Sequence, residues 1–159
     1  MCFVLDVNSF HCFFNPSCQG YSEFEPLHEW LYHENGTKIV YGGTTNIKEI
    51  DHLAKYKGYL LELKKISKFI QIDSKLVDKE SERIRNIVNK KDFDDPHIVA
   101  LLAVSGCIIF ASHDQRSDKY VKRKDLYPKH TPKRVIYRRK QHAVLLTEDK
   151  IVNLQNIVK

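Results

Sequence analysis

The apolar residues of the chain gather in five short runs that lie between longer polar segments. The runs read CFVLDV from Cys2, KIVYGG from Lys38, FIQID from Phe69, CIIFAS from Cys107 and RVIYR from Arg134. They do not alternate apolar with polar positions, which is typical of strands buried on both faces of a parallel sheet. The pattern therefore predicts a parallel sheet of about five strands, of which the last is the weakest.

Amphipathic segments follow the second and third runs and predict helices between the strands. TTNIKEIDHLAKY begins at Thr44, with Thr44 or Thr45 as its N-cap, and YLLELKKISK follows from Tyr59. SKLVDKESERIRNIVNK, from Ser74, carries an apolar stripe of helical period. Strands that alternate with helices predict a three-layer α/β/α sandwich, which we expect to be a single domain of residues 1–159.

Polar residues stand directly after two of the predicted strands. Asp6 closes the first strand, with Asn8 two residues later, and Ser112 and Asp114 close the fourth. Because parallel strands end at one edge of a sheet, these side chains converge if the two strands are neighbours. An acid that closes a buried strand is costly unless it is paired or bound, so Asp6 in particular needs a partner.

Two further carboxylates belong to helices that begin near the same edge. The segment DDPHIVALLAVSG has Asp95 as its predicted N-cap and Gly106 as its stop, and Glu49 lies one to two turns into the helix after the second strand. Taken singly, Asp95 reads as an ordinary cap, Asp114 as a turn residue and Glu49 as helix surface. Together with Asp6 they repel one another, and a hard divalent cation relieves that repulsion. Oxygen ligands favour Mg²⁺ or Mn²⁺ over Zn²⁺, which predicts a metal-dependent phosphodiesterase.

Positive charge is concentrated near the end of the chain. Residues 119–140 hold ten of the 26 lysines and arginines of a chain with net charge +6, and Asp125 is their only acid. Interleaved tyrosines offer stacking surfaces beside cations that bind phosphates, so this basic C-terminal segment favours contact with RNA over a merely solvated face. Docking of an acidic protein is the rival explanation. The predicted RNA contacts are Lys122, Arg123, Lys124, Lys133, Arg134, Arg138, Arg139 and Lys140.

The ordered motifs resemble those of the PIN-domain family over roughly residues 1–118. FVLDVN resembles the family's first motif, KIVYGGTTNIKEI the segment that carries its Glu, and DPHIVALLAVSGCIIFASHD the unit in which an Asp opens a helix and Ser-x-Asp ends the next strand. The resemblance implies a Mg²⁺- or Mn²⁺-dependent endoribonuclease, in many members a toxin inhibited by a small protein antitoxin and commonly a dimer. By position, it implies that Asp6, Glu49, Asp95 and Asp114 bind metal, and that Asn8 and Ser112 orient ligands or water.

Several alternatives stay open at this point. Asp94 could replace Asp95 by a slip of one residue, and Asp118 could be a further ligand. A non-catalytic RNA-binding module would keep the acids as structure, and deoxyribonuclease activity is a further possibility. A phospho-acceptor domain would instead use an acid after the third strand, where Asp73 stands. The tail, residues 141–159, exceeds what a minimal PIN domain needs and could bind a partner or nucleic acid.

Cysteine, histidine and hydropathy patterns bear on other classes of protein. The four cysteines form no C-x-x-C pair, and Cys2 and Cys107 read as core residues rather than as half-cystines. His28 and His33 are five apart, which does not place them on one helix face for zinc. No signal peptide or apolar run of about 18 residues is evident. We therefore expect a soluble cytoplasmic protein without membrane contact or a disulfide framework.

Overall fold

Five parallel strands form one sheet in the order β3-β2-β1-β4-β5 in the computed structural model, which describes residues 1–33, 36–146 and 158. The strands are β1 (Cys2–Leu5), β2 (Lys38–Gly42), β3 (Phe69–Ile72), β4 (Ile109–Ala111) and β5 (Val135–Tyr137). Each lies inside the apolar run that predicts it. Because β1 pairs with both β2 and β4, Phe3 stands between Ile39 and Ile109 at the centre of the sheet.

Helices cover both faces of this sheet. They are α1 (Phe10–Phe14), α2 (Tyr21–His33), α3 (Thr44–Asp51), α4 (Lys57–Lys65), α5 (Ser74–Val88), α6 (Pro96–Ser105) and α7 (Asp118–Val121). Short 3-10 turns span Val7–Ser9, Ala54–Tyr56, Lys124–Leu126 and Lys140–Leu145. The predicted α/β/α sandwich with a parallel sheet is confirmed.

The strand residues divide between two apolar cores, as the pleat requires. Val4, Val40 and Phe110 point into a core shared with α5 and α6. Their neighbours along the strands point into the opposite core, which α1, α2 and α4 close with aromatic side chains. Helix α6 is buried along most of its length, which explains why its sequence is apolar on every side.

Two helix predictions need correction. Neither Thr44 nor Thr45 caps α3, because the N-cap is Gly43, with φ +81°. Thr44 instead donates from its backbone N and its hydroxyl to the carboxylate of Asp78 on α5, at 2.7 and 2.6 Å. The hydrophobic pattern also left α1 and most of α2 unassigned, and α2 continues through Pro26, a residue type that usually ends or kinks a helix.

The expectation that the cysteines are unpaired is wrong for this structure. Cys2 is joined to Cys107 across neighbouring strands, with Cα atoms 5.6 Å apart, and Cys12 to Cys18, with Cα atoms 5.2 Å apart. The first pair is 105 residues apart in sequence, and only the β1–β4 pairing brings it together. Spacing along the chain could not reveal it.

Of the predicted tail, residues 141–159, the structure describes residues 141–146 and 158. Residues 147–157 and 159 lie outside the described residues, whereas Val158 forms an antiparallel bridge to Ile72 at the free edge of β3. Across the described part of the chain, every helix is too short or too polar to cross a membrane.

Candidate functional site

The pairing of β1 with β4 brings Asp6 and Ser112 together at the carboxyl edge of the sheet. Asp6 continues the ladder by donating its backbone N to the carbonyl of Ala111, at 2.9 Å. The Ser112 hydroxyl donates to Asp6 Oδ2 at 2.5 Å, and the backbone N of Asn8 donates to Oδ1 at 3.0 Å. Asp6 is only 7% exposed, so its carboxylate is held in one orientation by two donors.

Ser112 also connects Asp6 to Asp114. Its oxygen accepts from the backbone N of Asp114 at 3.0 Å, so one buried hydroxyl lies between the two acids. The Asp114 carboxylate accepts from the Arg116 guanidinium at 2.7 and 2.8 Å. Because the Arg116 side chain is 77% exposed, it can leave Asp114 without disturbing the core. The predicted roles of Ser112 and Asn8 therefore have a geometric basis, although Asn8 acts through its backbone rather than its side chain.

Asp95 occupies the N-cap position of α6 but does not behave as a cap. Its side chain makes no capping hydrogen bond, and the helix begins with Pro96. An N-cap aspartate normally accepts from the second or third helical N–H. The half-buried carboxylate of Asp95 is therefore not explained by helix capping, whereas Asp73 does cap α5 by accepting from Lys75. This contrast weakens the phospho-acceptor alternative, which needs the Asp73 carboxylate free for chemistry.

Glu49 contacts His97, which the sequence places near the site as an ordinary hydrogen-bonding histidine rather than as a site residue. His97 Nε2 lies 3.1 Å from Glu49 Oε2, and the imidazole is buried while the carboxylate is about one third exposed. The buried amide of Asn46 anchors the start of α3 by accepting from the backbone N of Gly42 at 3.1 Å. The only sequence signal for His97 is its place in the first turn of α6, two residues after Asp95.

The pKa values of these acids show that they share one electrostatic environment. Burial raises the pKa of Asp6 above its ordinary value, against the Ser112 and Asn8 hydrogen bonds, and the charges of Asp114 and Glu49 raise it further. Burial also raises the pKa of Asp95; His97 opposes the shift, and the other three carboxylates reinforce it. Hydrogen bonds from Arg116 hold the pKa of Asp114 below its ordinary value. The charges of the four predicted carboxylates thus act on one another, while Arg116 contacts Asp114 and His97 contacts Glu49.

The donor set fits a hard divalent cation in its chemistry. Asp6, Asp95, Asp114 and Glu49 supply oxygen ligands and negative charge, which Mg²⁺ and Mn²⁺ prefer. Among the described residues, however, no three histidine, cysteine or acidic side chains already stand at ligand distances. Glu49 is held by His97 and Asp114 by Arg116, so a bound cation would take at least one carboxylate from its present partner.

Arg138 holds the loop that carries Ser112 and Asp114, whereas the sequence predicts it to contact RNA. Its guanidinium makes a two-pronged contact with Asp118, at 2.6 and 3.0 Å, and also donates to the carbonyls of Ser112 and Asp114, at 3.1 and 2.8 Å. The side chain is only 15% exposed. Arg138 therefore binds the Ser112–Asp114 loop and does not make the predicted surface contact with phosphate. Asp118, considered above as a possible metal ligand, is ion-paired with Arg138.

The other predicted RNA contacts divide into two groups. Arg134 is 2% exposed and bonded inside the protein, which removes it from the open surface, and Arg123 is ion-paired with Asp125. The remaining members are exposed lysines and one arginine: Lys122, Lys124, Lys133, Arg139 and Lys140. Asp94 is also exposed, whereas Asp95 interacts with the other carboxylates, so the structure favours the register that uses Asp95.

Comparisons with known proteins add no relative. No protein-family model matches the sequence, and neither the curated proteins nor the solved structures compared with the chain give a match. The similarity to PIN domains therefore stays a prediction that rests on the order of motifs in this sequence.

Proposed function

We propose that the protein is a metal-dependent endoribonuclease whose site lies at the carboxyl edge of the sheet. The observation that carries this proposal is Asp95, a half-buried carboxylate that begins a helix without capping it and whose pKa is raised by burial and by the charges of three other carboxylates. Acids gathered for structure alone would be expected to have hydrogen-bond partners of their own. Perturbed titratable groups that cluster at a sheet edge are typical of functional sites.

Each residue would contribute differently to the reaction. Asp6, Asp95 and Asp114 would hold Mg²⁺ or Mn²⁺, and Glu49 would join them or orient water. Such a cation, when bound, lowers the pKa of water and stabilises negative charge that develops at phosphorus. Ser112 keeps the Asp6 carboxylate and the Asp114 backbone in place, and His97 fixes Glu49. The exposed lysines of the basic C-terminal segment would attract the RNA backbone.

A non-catalytic RNA-binding module is the second candidate. The observation that favours it is the pairing of Asp114 with Arg116 and of Glu49 with His97, which uses two of the acids as structural partners. In that case the basic segment would supply the function, and the acids would shape the edge. A protein partner such as an antitoxin remains a prediction of the motif resemblance, as does a homodimer.

Cleavage of a labelled single-stranded RNA pool separates the two candidates. The wild-type protein, Asp6→Asn and Asp114→Asn are compared with Mg²⁺, with Mn²⁺ and with chelator, and Asp51→Asn serves as the control because it removes an exposed acid of α3 that belongs neither to the site nor to the basic segment. We expect metal-dependent cleavage that both site variants lose and the control retains. Changes to residues that only support metal ligands typically cost about 10–100-fold in affinity or activity, so loss of a ligand itself should cost about 10²-fold or more. Binding of RNA without metal-dependent turnover would establish the non-catalytic module instead.

A further inference from the structure

A cavity of about 470 Å³ lies at the other end of β5 from the candidate site. The loop between α7 and β5 encloses it, and Arg134, directly before β5, forms part of its wall. Arg138, which supports the candidate site, directly follows β5. The three residues of β5 separate the two arginines, and four steps of about 3.3 Å along the extended chain place them about 13 Å apart.

The lining of this cavity is strongly basic. Its charged members are Lys122, Lys124, Asp125, Lys129, Lys133 and Arg134. Asp125, the one acid, is ion-paired with Arg123 outside the lining, so it neutralises little of the positive charge. The four lysines are exposed, and Lys122 Nζ lies 3.8 Å from the carboxylate of Asp118, which Arg138 also contacts.

Hydrogen bonds and a cation–π contact hold the wall of the cavity in place. The Arg134 guanidinium donates to the carbonyls of Leu102 and Pro132, at 3.1 and 2.6 Å, and lies 4.3 Å from the centre of the Tyr127 ring. The Tyr127 hydroxyl donates to the carbonyl of Val121 at 2.9 Å. The buried Nε of Arg134 has no hydrogen-bond partner among the described residues. Nothing acidic at these contacts neutralises the guanidinium, so it adds a fixed positive charge beneath the lysines.

We propose that this cavity binds a phosphate group of single-stranded RNA whose scissile bond lies at the carboxyl edge. The inference rests on the proposed function for its choice of RNA, since the lining itself specifies a phosphate anion. A phosphate bears the compact negative charge that several lysines surround well. The cavity would act as a second anchor, a strand length from the cutting site, and would set how far the RNA must extend beyond the cleaved bond.

Binding of fluorescein-labelled single-stranded RNA in chelator, across a range of salt concentrations, tests the anchor without any cleavage. Lys129→Ala/Lys133→Ala removes two lining charges. Lys57→Ala/Lys65→Ala is the matched control, because both lysines are exposed on α4, across the sheet from the basic loop. Urea unfolding of both variants checks that each is folded.

The cavity variant should bind the RNA about tenfold more weakly, which is about 1.4 kcal/mol. The slope of log K against log salt should also become shallower by about 0.7, since the cavity holds one phosphate and each phosphate contact on single strands contributes about 0.7. The control should keep the wild-type slope. An unchanged slope in the cavity variant, an equal change in both variants, or tight binding of a polyglutamate peptide in place of RNA would overturn the anchor.

The anchor and the proposed function fail in different ways. The protein could show no metal-dependent cleavage while the cavity variant binds RNA more weakly. That result would support the anchor and contradict the proposed nuclease activity. Conversely, the protein could show metal-dependent cleavage while the cavity variant keeps the wild-type salt slope. That result would support the nuclease activity and contradict the anchor.

Discussion

Replacement of Arg138 should destabilise the protein more than any other change to a single cation in the basic C-terminal segment. Arg138→Met keeps the length and the apolar stem of the side chain but removes the guanidinium. The Asp118 carboxylate would lose two short hydrogen bonds, and the carbonyls of Ser112 and Asp114 would lose one each. Arg138→Lys would restore the charge without the planar fork that serves three acceptors at once.

The expected magnitude follows from the exposure of the pair. Breaking a fully buried pair by removing one partner costs about 3–5 kcal/mol. The Arg138 side chain is 15% exposed and that of Asp118 21% exposed, so water compensates part of the loss. We therefore expect Arg138→Met to lower the free energy of unfolding by about 3 kcal/mol, toward the lower end of that range, and Arg138→Lys by about half as much.

Urea unfolding, followed through the fluorescence of the single tryptophan, measures this loss. Trp30 is well buried, so its emission should change on unfolding. A double-mutant cycle with Asp118→Asn isolates the pair, and we expect a coupling energy of about 1–3 kcal/mol. A loss below about 1 kcal/mol for Arg138→Met, or a coupling energy near zero, would mean instead that Arg138 and Asp118 behave as a surface ion pair.

Three further predictions concern the stability of the fold. Gly43→Ala should lower the free energy of unfolding by about 2 kcal/mol, because φ is +81° and the new Cβ would lie 2.7 Å from Val77 Cγ1; a neutral effect in urea unfolding would contradict this. Burial among aromatic rings lowers the pKa of His28, so the folded state binds fewer protons there than the unfolded state, and stability is lost as pH falls below about 6.5. His28→Phe should flatten that loss between about pH 7 and about pH 5, and an unchanged pH profile would count against it. The Cys2–Cys107 cross-link closes a loop of about 105 residues and should contribute about 4–5 kcal/mol to the free energy of unfolding in the chain-entropy model. Reduction of the disulfide should therefore lower the urea midpoint. Four titratable thiols in the denatured, unreduced protein would argue that the cross-link is absent.

The strands and the central helix were predictable because their signals are local. The apolar runs at Cys2, Lys38 and Phe69 mark strands through burial alone, and Asp-Pro before an apolar segment marks the start of α6. The placement of Asp6 and Ser112 at one edge followed from parallel pairing, once the first and fourth runs were taken as neighbours. These inferences needed only periodicity, chain punctuation and the geometry of a parallel sheet.

What the sequence could not supply depends on contacts between distant residues. His97 and Glu49 are 48 residues apart, and nothing in either segment indicates the other. Arg138 reads as one more cation of a basic stretch, because only the β4–β5 pairing places it beneath the Ser112–Asp114 loop. The same limit explains the error over Cys2 and Cys107, which are brought together by the neighbouring positions of β1 and β4.

The sequence predicts Asp95 both as a metal ligand and as the cap of α6, and the structure bears on the second of these predictions. As a sequence, Asp-Pro at a helix start is well explained by capping, which needs no function. In the structure the cap position is kept but the capping hydrogen bond is not made. The carboxylate instead interacts with Asp6, Glu49 and Asp114. A residue that a local rule explains adequately thus becomes the strongest argument for a site, because the rule is not obeyed.

The central claim is that the carboxyl edge of the sheet binds a divalent cation. Anomalous diffraction from crystals grown with Mn²⁺ locates such an ion directly. We expect a manganese peak in contact with carboxylate oxygens of Asp6 and Asp114, with the Arg116 side chain displaced from Asp114. Saturating Mn²⁺ that leaves no peak at this edge, with the Arg116–Asp114 pair intact, would contradict the account.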